Sequence, residues 1–241
     1  MLLFKNKNMN KKFILSSLSI AAMIVLIVSC EKDYKQEEPI SRPPVVSNSF
    51  VEEFDTVANI SKKGWVITNR SNPIGGRAWR QGKYELGGKL GNEIVGFPAF
   101  SAVYSPNEFI SADLATTGDG GEISCWLISP PMPAKNGDQI SFYTRSTGAF
   151  PERLQVRGNY TNQSSNVGGS VKEFGDFNNL LLDINPSYGF DYPDTWTKYT
   201  LTFAGLPSAL TSVRVAFRYM VDDISVNGDM IGIDRFEFIS K

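Results

Sequence analysis

The sequence predicts an all-β sandwich, and three observations carry that reading. From Phe50 onward apolar residues recur with a period of two and almost nowhere with the period of a helix. The alternating runs are short and are separated by clusters of Gly, Pro, Asn and Asp, with 21 glycines and 13 prolines in the chain. No helical stretch alternates with the strands, which argues for sheet packed on sheet rather than a parallel sheet with crossover helices. The 241 residues suffice for a full core, since a domain of ~150 residues already buries about 70% of its unfolded surface.

The first segment precedes the fold. Lys5, Lys7, Lys11 and Lys12 are followed by a mostly apolar run over residues 13–28, which is shorter than the ~20 residues a membrane-spanning helix needs. It ends Ile27-Val28-Ser29-Cys30, which resembles the bacterial lipobox. That resemblance implies a signal peptide over residues 1–29, lipidation of Cys30, and an outer-membrane, lipid-anchored protein exposed at the cell surface. Each buried CH₂ contributes ~0.8 kcal/mol, so several acyl chains suffice as an anchor without a helix. With Cys30 lipidated, only Cys125 remains, and no internal disulfide can form. Residues 30–49 read as a tether: polar, charged, proline-bearing and without apolar period. Glu31-Lys32-Asp33 resembles the acidic export signal of surface lipoproteins of the Bacteroidetes group.

Residues 50–241 read as one domain. Phe50, Glu52 and Phe54 share one face of a first strand, and Val51, Glu53 and Asp55 share the other. Residues 63–67 follow a turn, 72–76 form a loop, and 77–80 resume extended chain. Residues 82–96 are a glycine-rich excursion, 97–104 read as a strand, and 106–121 as a loop. Residues 123–128 are apolar on both faces, as in a central strand. Pro130, Pro131 and Pro133 end that strand, because proline donates nothing to a ladder. Asn136-Gly137-Asp138 turns the chain into alternating residues 140–145, and 153–157 read as a half-exposed strand. Residues 159–170 are a polar surface loop, 180–182 lie in a strand, and 199–203 alternate with threonines. Residues 213–221 alternate most cleanly, with Arg214 and Arg218 facing out. In the last strand Ile231 and Ile233 occupy odd positions and Phe236 and Phe238 even ones. Both pairs face one core only if a bulge intervenes near Asp234-Arg235, which would re-aim the Asp234 carboxylate.

Several stretches together resemble the choice-of-anchor J, or cleaved-adhesin-like, domain. They are FVEEFD at 50–55, GEISCWLISPPM at 121–132, NGDQISFYTRS at 136–146, FPERLQVR at 150–157, LLDINPS at 181–187, TWTKYTLTFAGL at 195–206, VRVAFRYMV at 213–221 and IGIDRFEF at 231–238. The resemblance spans roughly residues 50–241. It implies a jelly-roll β-sandwich of the galactose-binding-like kind, secreted or surface-anchored. The chain departs from that family at Cys125, where asparagine is usual.

Composition narrows the chemistry. The chain contains no histidine, which removes every Ser-His-Asp or Cys-His arrangement and every histidine metal ligand. Residues 1–30 hold four lysines and no acid, leaving 20 bases against 25 acids from residue 31 onward. That balance argues against a nucleic-acid partner, which would meet a basic face. Cys125 sits among apolar neighbours as a small core residue. By resemblance, a structural calcium sits where the first and last strands meet, on Glu53, Asp55 and Asp234, because Ca²⁺ takes six to eight oxygens. The stretch 223–228 has the D-x-S-x-N-G form of a calcium loop with Asp234 at its twelfth position, though a plain Asn-Gly hairpin turn accounts for it. Among the tryptophans, Trp126 and Trp196 read as packing, and Trp79, between Arg77 and Arg80, is the expected exposed ligand-stacking residue. Arg145, Arg153, Arg157 and Arg218 are expected to cover apolar surface and pair with carboxylates. The expected function is a non-catalytic, adhesin-like surface binding module for a glycan or an extracellular protein of host or matrix. A structural or accessory subunit of an outer-membrane assembly is the alternative, followed by a polysaccharide hydrolase built on two carboxylates, which needs no histidine.

Overall fold

The computed structural model describes residues 48–85, 96–207 and 211–241. The signal peptide, Cys30, nearly all of the tether, and residues 86–95 of the glycine-rich excursion lie outside the described residues.

The strands are β1 (Phe50–Glu52), β2 (Val66–Asn69), β3 (Asn72–Ile74), β4 (Arg80–Gln81), β5 (Ile110–Asp113), β6 (Thr117–Ile128) and β7 (Met132–Ala134) in the first half. In the second half they are β8 (Gln139–Ser146), β9 (Leu154–Asn159), β10 (Asn179–Ile184), β11 (Thr197–Thr202), β12 (Thr211–Val221) and β13 (Met230–Ile239). One sheet runs β11-β8-β13-β5-β4 with β1 beside β13. The other runs β10-β9-β12-β6-β2, with β3 on β6 and β7 on β12. The described pairings are antiparallel. From β5 onward the chain changes sheet at β5→β6, β7→β8, β8→β9, β10→β11, β11→β12 and β12→β13. This is the jelly-roll sandwich.

The core lies between the sheets, where alternate residues of each strand meet. Leu154 and Val156, Phe217 and Tyr219, and Cys125 and Leu127 face Ile140 and Phe142, Phe236 and Phe238. Phe236 sits edge-on to Trp65 at 5.3 Å and to Phe217 at 6.0 Å, pairs worth about 0.5–1.5 kcal/mol each beyond their area. The expected bulge is present. The β13–β8 register shifts between Asp234 and Glu237, and Arg235 adopts φ +47°. Ile231, Ile233, Phe236 and Phe238 all reach the core as a result.

Two segments outside the ladders cover the outer faces. Over the first sheet, residues 97–109 pack Phe97 and Phe109 with Met230 and Trp196. Gly232 permits this, since a Cβ there would stand 2.7 Å from the Phe97 ring. Residues 97–104, read from sequence as a strand, form none. Their amides are taken by carboxylates: Asp234 Oδ2 accepts from Phe100 N at 2.8 Å and Ser101 N at 3.0 Å, and Glu108 accepts from the Val103 and Tyr104 amides. Over the second sheet, residues 160–178 place Val167 and Phe177 on Trp126, Ile128 and Ala216. The polar surface loop expected at 159–170 is therefore the start of a packed cover.

Candidate functional site

The connections β8–β9, β10–β11 and β12–β13 converge at one end of the sandwich. Gly228 N donates to Pro151 O at 2.9 Å, the Thr147 hydroxyl donates to Asp229, and Asn185 Nδ2 donates to Glu152 O at 2.8 Å and Gly189 O at 2.7 Å. A buried polar network underlies these contacts. Glu152 is fully buried. Its carboxyl accepts from Tyr219 Oη at 2.8 Å and Asp229 N at 2.6 Å. Burial pushes it up to about 8, with the Asp229 charge adding to the rise and the hydrogen bonds opposing it. Tyr192, also buried, shares a 2.6 Å hydrogen bond with Thr144 Oγ1.

Above this floor lies a cleft of about 390 Å³ between residues 146–151 and 189–194. Phe150 and Phe190 stand on its walls, 51% and 80% exposed. Asp191 and Asp194 add two exposed carboxylates. Gly148 fixes the approach of the two loops. Its φ is +77°, and a Cβ there would lie 3.0 Å from Asp194 Cβ. Ser146 N donates to Pro193 O at 2.8 Å and anchors the same turn. Asn185, at φ +58°, leaves its Oδ1 buried without a partner. Exposed rings beside carboxylates, held on a buried frame, give the cleft a polar and aromatic lining of the kind ligand pockets have. Glu152 has no exposed surface, so the carboxyl with the shifted proton affinity cannot act on a ligand in the cleft.

The residues predicted from sequence lie elsewhere. Trp79 is a correction: it is 3% exposed, and its Nε1 donates to Cys125 O at 3.0 Å. Its flanking arginines are drawn outward to Asp113, Arg77 at 3.3 Å and Arg80 still closer, and the indole fills the core. Of the three expected calcium ligands, the structure brings two together. Asp234 is fully buried and raised to about 7 by burial, with the Glu53 charge adding. Glu53 approaches Arg235 at 3.4 Å, and its Oε2 is buried without a partner. Phe54 adopts φ +56°, and beyond that turn Asp55 is exposed, with Glu108, Glu52 and Lys63 as its charged neighbours. Among the described residues no group of three or more His, Cys, Asp or Glu side chains is placed to hold a metal. The 223–228 stretch is not a hairpin turn, because β12 and β13 belong to different sheets. Asp223 Oδ1 closes its own turn by accepting from Ser225 N at 2.8 Å and Ser225 Oγ at 2.6 Å.

Sequence reasoning missed Phe150, Phe190, Asp191 and Asp194. For the last three the available signal was YGFDYPD at 188–194, a Gly, Asp and Pro stretch outside any strand, of which Tyr192 alone enters the core.

No protein-family profile matches the chain, and no curated protein matches its sequence. Among solved structures it is similar to the K1 cleaved adhesin domain of Lys-gingipain from Porphyromonas gingivalis W83, with TM-score 0.49 and 20% identity over 80% of this chain and 98% of that one. The K3 domain of the same protein gives TM-score 0.48 and 16% identity, covering 80% and 98%. TmCBM61 in complex with β-1,4-galactotriose gives 0.40 and 11%, covering 73% and 88%. At these scores the likenesses assign this chain no ligand and no residue role.

Proposed function

We propose that this chain is a non-catalytic surface module, lipid-anchored through Cys30, that binds a neutral glycan in the cleft between residues 146–151 and 189–194. The carrying observation is the pairing of two exposed phenylalanines with two exposed carboxylates in one cleft. Flat rings cover the apolar face of a sugar, and Asp191 and Asp194 accept hydroxyls while repelling acidic sugars. The volume of about 390 Å³ lies within the range of ligand pockets. The full chain in nonionic detergent, applied to a glycan array, is expected to give a specific neutral-glycan signal. Titration of that glycan into Phe190→Ala is expected to show at least about a tenfold loss of affinity, or ~1.4 kcal/mol. A blank array with folded protein, or an unchanged Phe190→Ala, sinks the reading.

The calcium reading narrows to Glu53 and Asp234. Its support is the orphaned Glu53 Oε2 together with the Glu53 charge acting on the buried Asp234 carboxylate. A cation bound only by the folded state raises the melting temperature, so millimolar Ca²⁺ is expected to raise it over excess chelator, and Glu53→Gln to abolish the difference. Equal melts in the two buffers remove calcium from the account.

A further inference from the structure

A set of arginines outside the cleft donates to main-chain carbonyls rather than to carboxylates. Arg214 Nε donates to Gln163 O at 2.8 Å, Arg70 Nε to Gly168 O at 2.8 Å, and Arg157 Nη1 to Phe177 O at 3.3 Å. Arg218 Nη2 donates to Val171 O. Four guanidiniums thus hold one segment, residues 160–178, by its main-chain carbonyls. Arg157 and Arg218 are 8% and 3% exposed and share a single acceptor, Gln155 Oε1, at 3.0 and 3.3 Å. Among the described residues none of the four forms an ion pair. Their neighbours do: Arg153 grips Asp183 with two bonds at 2.9 and 2.8 Å, and Lys172 pairs with Glu122. The Glu173 carboxylate on the same segment accepts from Gly169 N instead.

A carbonyl satisfies a guanidinium's hydrogen bond without neutralising its charge, and the opposing charges, Asp183 for Arg157 and Asp222 for Arg218, act without direct contact. Burying that charge without a partner is costly. Burial lowers the proton affinity of both, for Arg157 against the attraction of Asp183, and for Arg218, to about 10, with repulsion from Arg157 and Arg153 adding. Of the four, Arg70 borders a cavity of about 410 Å³, lined also by Ser71, Asn72, Ile74 and residues 169–171. Arg70 has its Nε on Gly168 O, and among the described residues no acceptor holds its two Nη groups. Val171, on the cavity wall, is the residue that Arg218 grips from behind.

We infer that the cavity beside Arg70 binds a carboxylate or sulfate group carried on an oligosaccharide. The guanidinium fork matches either oxyanion with two parallel bonds, and the arginines behind it, none of them in an ion pair among the described residues, add to the positive field. The carrier follows from the walls. An extended peptide would add to the edge of β3, but β3 is three residues long and its middle residue, Pro73, has no N–H. The cavity is compact, with Ile74, 66% exposed, as an apolar wall for a sugar face. This site shares no residue with the first cleft and stands without it.

The test is calorimetric titration of the full chain in nonionic detergent with trigalacturonate and with a chondroitin 4-sulfate tetrasaccharide. Galactotriose and hexaglutamate are the comparators. At least one acidic saccharide is expected to bind, more weakly as salt rises, with Arg70→Gln at least about tenfold weaker. Because Arg70 also holds the 160–178 segment, a second pair of variants acts on the exposed rim. Ile74→Asp is expected to weaken the same titration and Ile74→Lys to tighten it. No binding of either acidic saccharide overturns the site, as do equal affinities across the Ile74 pair. Loss of binding in Phe190→Ala would place the ligand in the first cleft and overturn the assignment. Hexaglutamate binding as tightly, with the same Ile74 dependence, would overturn the glycan carrier in favour of an acidic peptide.

Discussion

The two outer faces of the sandwich are covered by irregular segments held with opposite charge. Over the first sheet, Asp234 and Glu108 accept amide protons from residues 100–104. Over the second, Arg70, Arg157, Arg214 and Arg218 donate to carbonyls of residues 160–178. Each cover lacks a ladder partner, so its main-chain groups need side-chain partners if they are to leave water. A carboxylate accepts several amides at once and a guanidinium donates to several carbonyls, so a few charged residues order a long segment. The difference lies in what remains exposed. The carboxylate-held cover displays Tyr104, 94% exposed, and Val103, 68% exposed. The arginine-held cover buries Val167 and Phe177 and leaves the Nη groups of Arg70 without an acceptor at its edge among the described residues. One segment presents apolar side chains and the other presents a field.

Glu152 extends the carboxylate device beneath the cleft and offers the largest expected effect. Burial pushes it up to about 8 from an ordinary 4.5. Between those values the folded state binds more protons than the unfolded one, so stability falls as pH rises. The contribution is complete below about pH 4.5 and is lost as pH rises through the folded value near 8. At ~1.4 kcal/mol per unit the change amounts to several kcal/mol. The melting temperature is expected to be clearly higher at pH 5 than at pH 8.5. Glu152→Gln keeps an acceptor for Asp229 N and a group to pair with Tyr219, and it should reduce that slope to the part that the raised Asp234 contributes. A wild-type melt that is level over this range would show that Glu152 ionises freely.

Next in size is Arg218→Met, which removes donors from Val171 O, Ser124 Oγ and Gln155 Oε1 while keeping a long side chain on Trp126. Each lost bond costs about 1 kcal/mol, offset by relief of the repulsion with Arg157. A net loss of about 2 kcal/mol is expected in urea unfolding, with faster amide exchange in residues 166–177. A stabilised variant would mean that desolvation of the guanidinium outweighs its grip on the cover, and the parallel between the two faces would fail.

The sandwich was legible in the sequence because strands advertise themselves by alternation. The central strand at residues 123–128 was readable because it is apolar on both faces. The bulge was readable because Ile233 and Phe236 differ in parity yet both reach the core. The covers were not readable, since a segment held by distant side chains carries no period of its own. Residues 97–104 look like a strand until the Asp234 and Glu108 contacts are known; Asp234 lies 134 positions from Phe100, and Glu108, though only four or five from Val103 and Tyr104, reads as one more acid in a loop. Arg218 alternates outward correctly and is buried only because residues 160–178 cover it. Trp79 was misread for a related reason. Its charged neighbours suggested exposure, but Asp113 accounts for both arginines, and the indole N–H finds a buried acceptor in Cys125 O.

The smallest expected effect tests the carboxylate-held cover alone. Glu108 is 5% exposed and serves the amides of Val103 and Tyr104. Those amides carry side chains that bury almost nothing, so the loop gains its order from the pin and not from packing. Glu108→Ala should therefore cost only about 1 kcal/mol globally, since the freed amides can turn to water. Amide exchange should rise sharply at Val103 and Tyr104 and stay unchanged at Phe100 and Ser101, which Asp234 holds independently. Faster exchange across all four would mean that the two carboxylates act as one cooperative clasp, and that order at the Tyr104 tip depends on the bulge in β13.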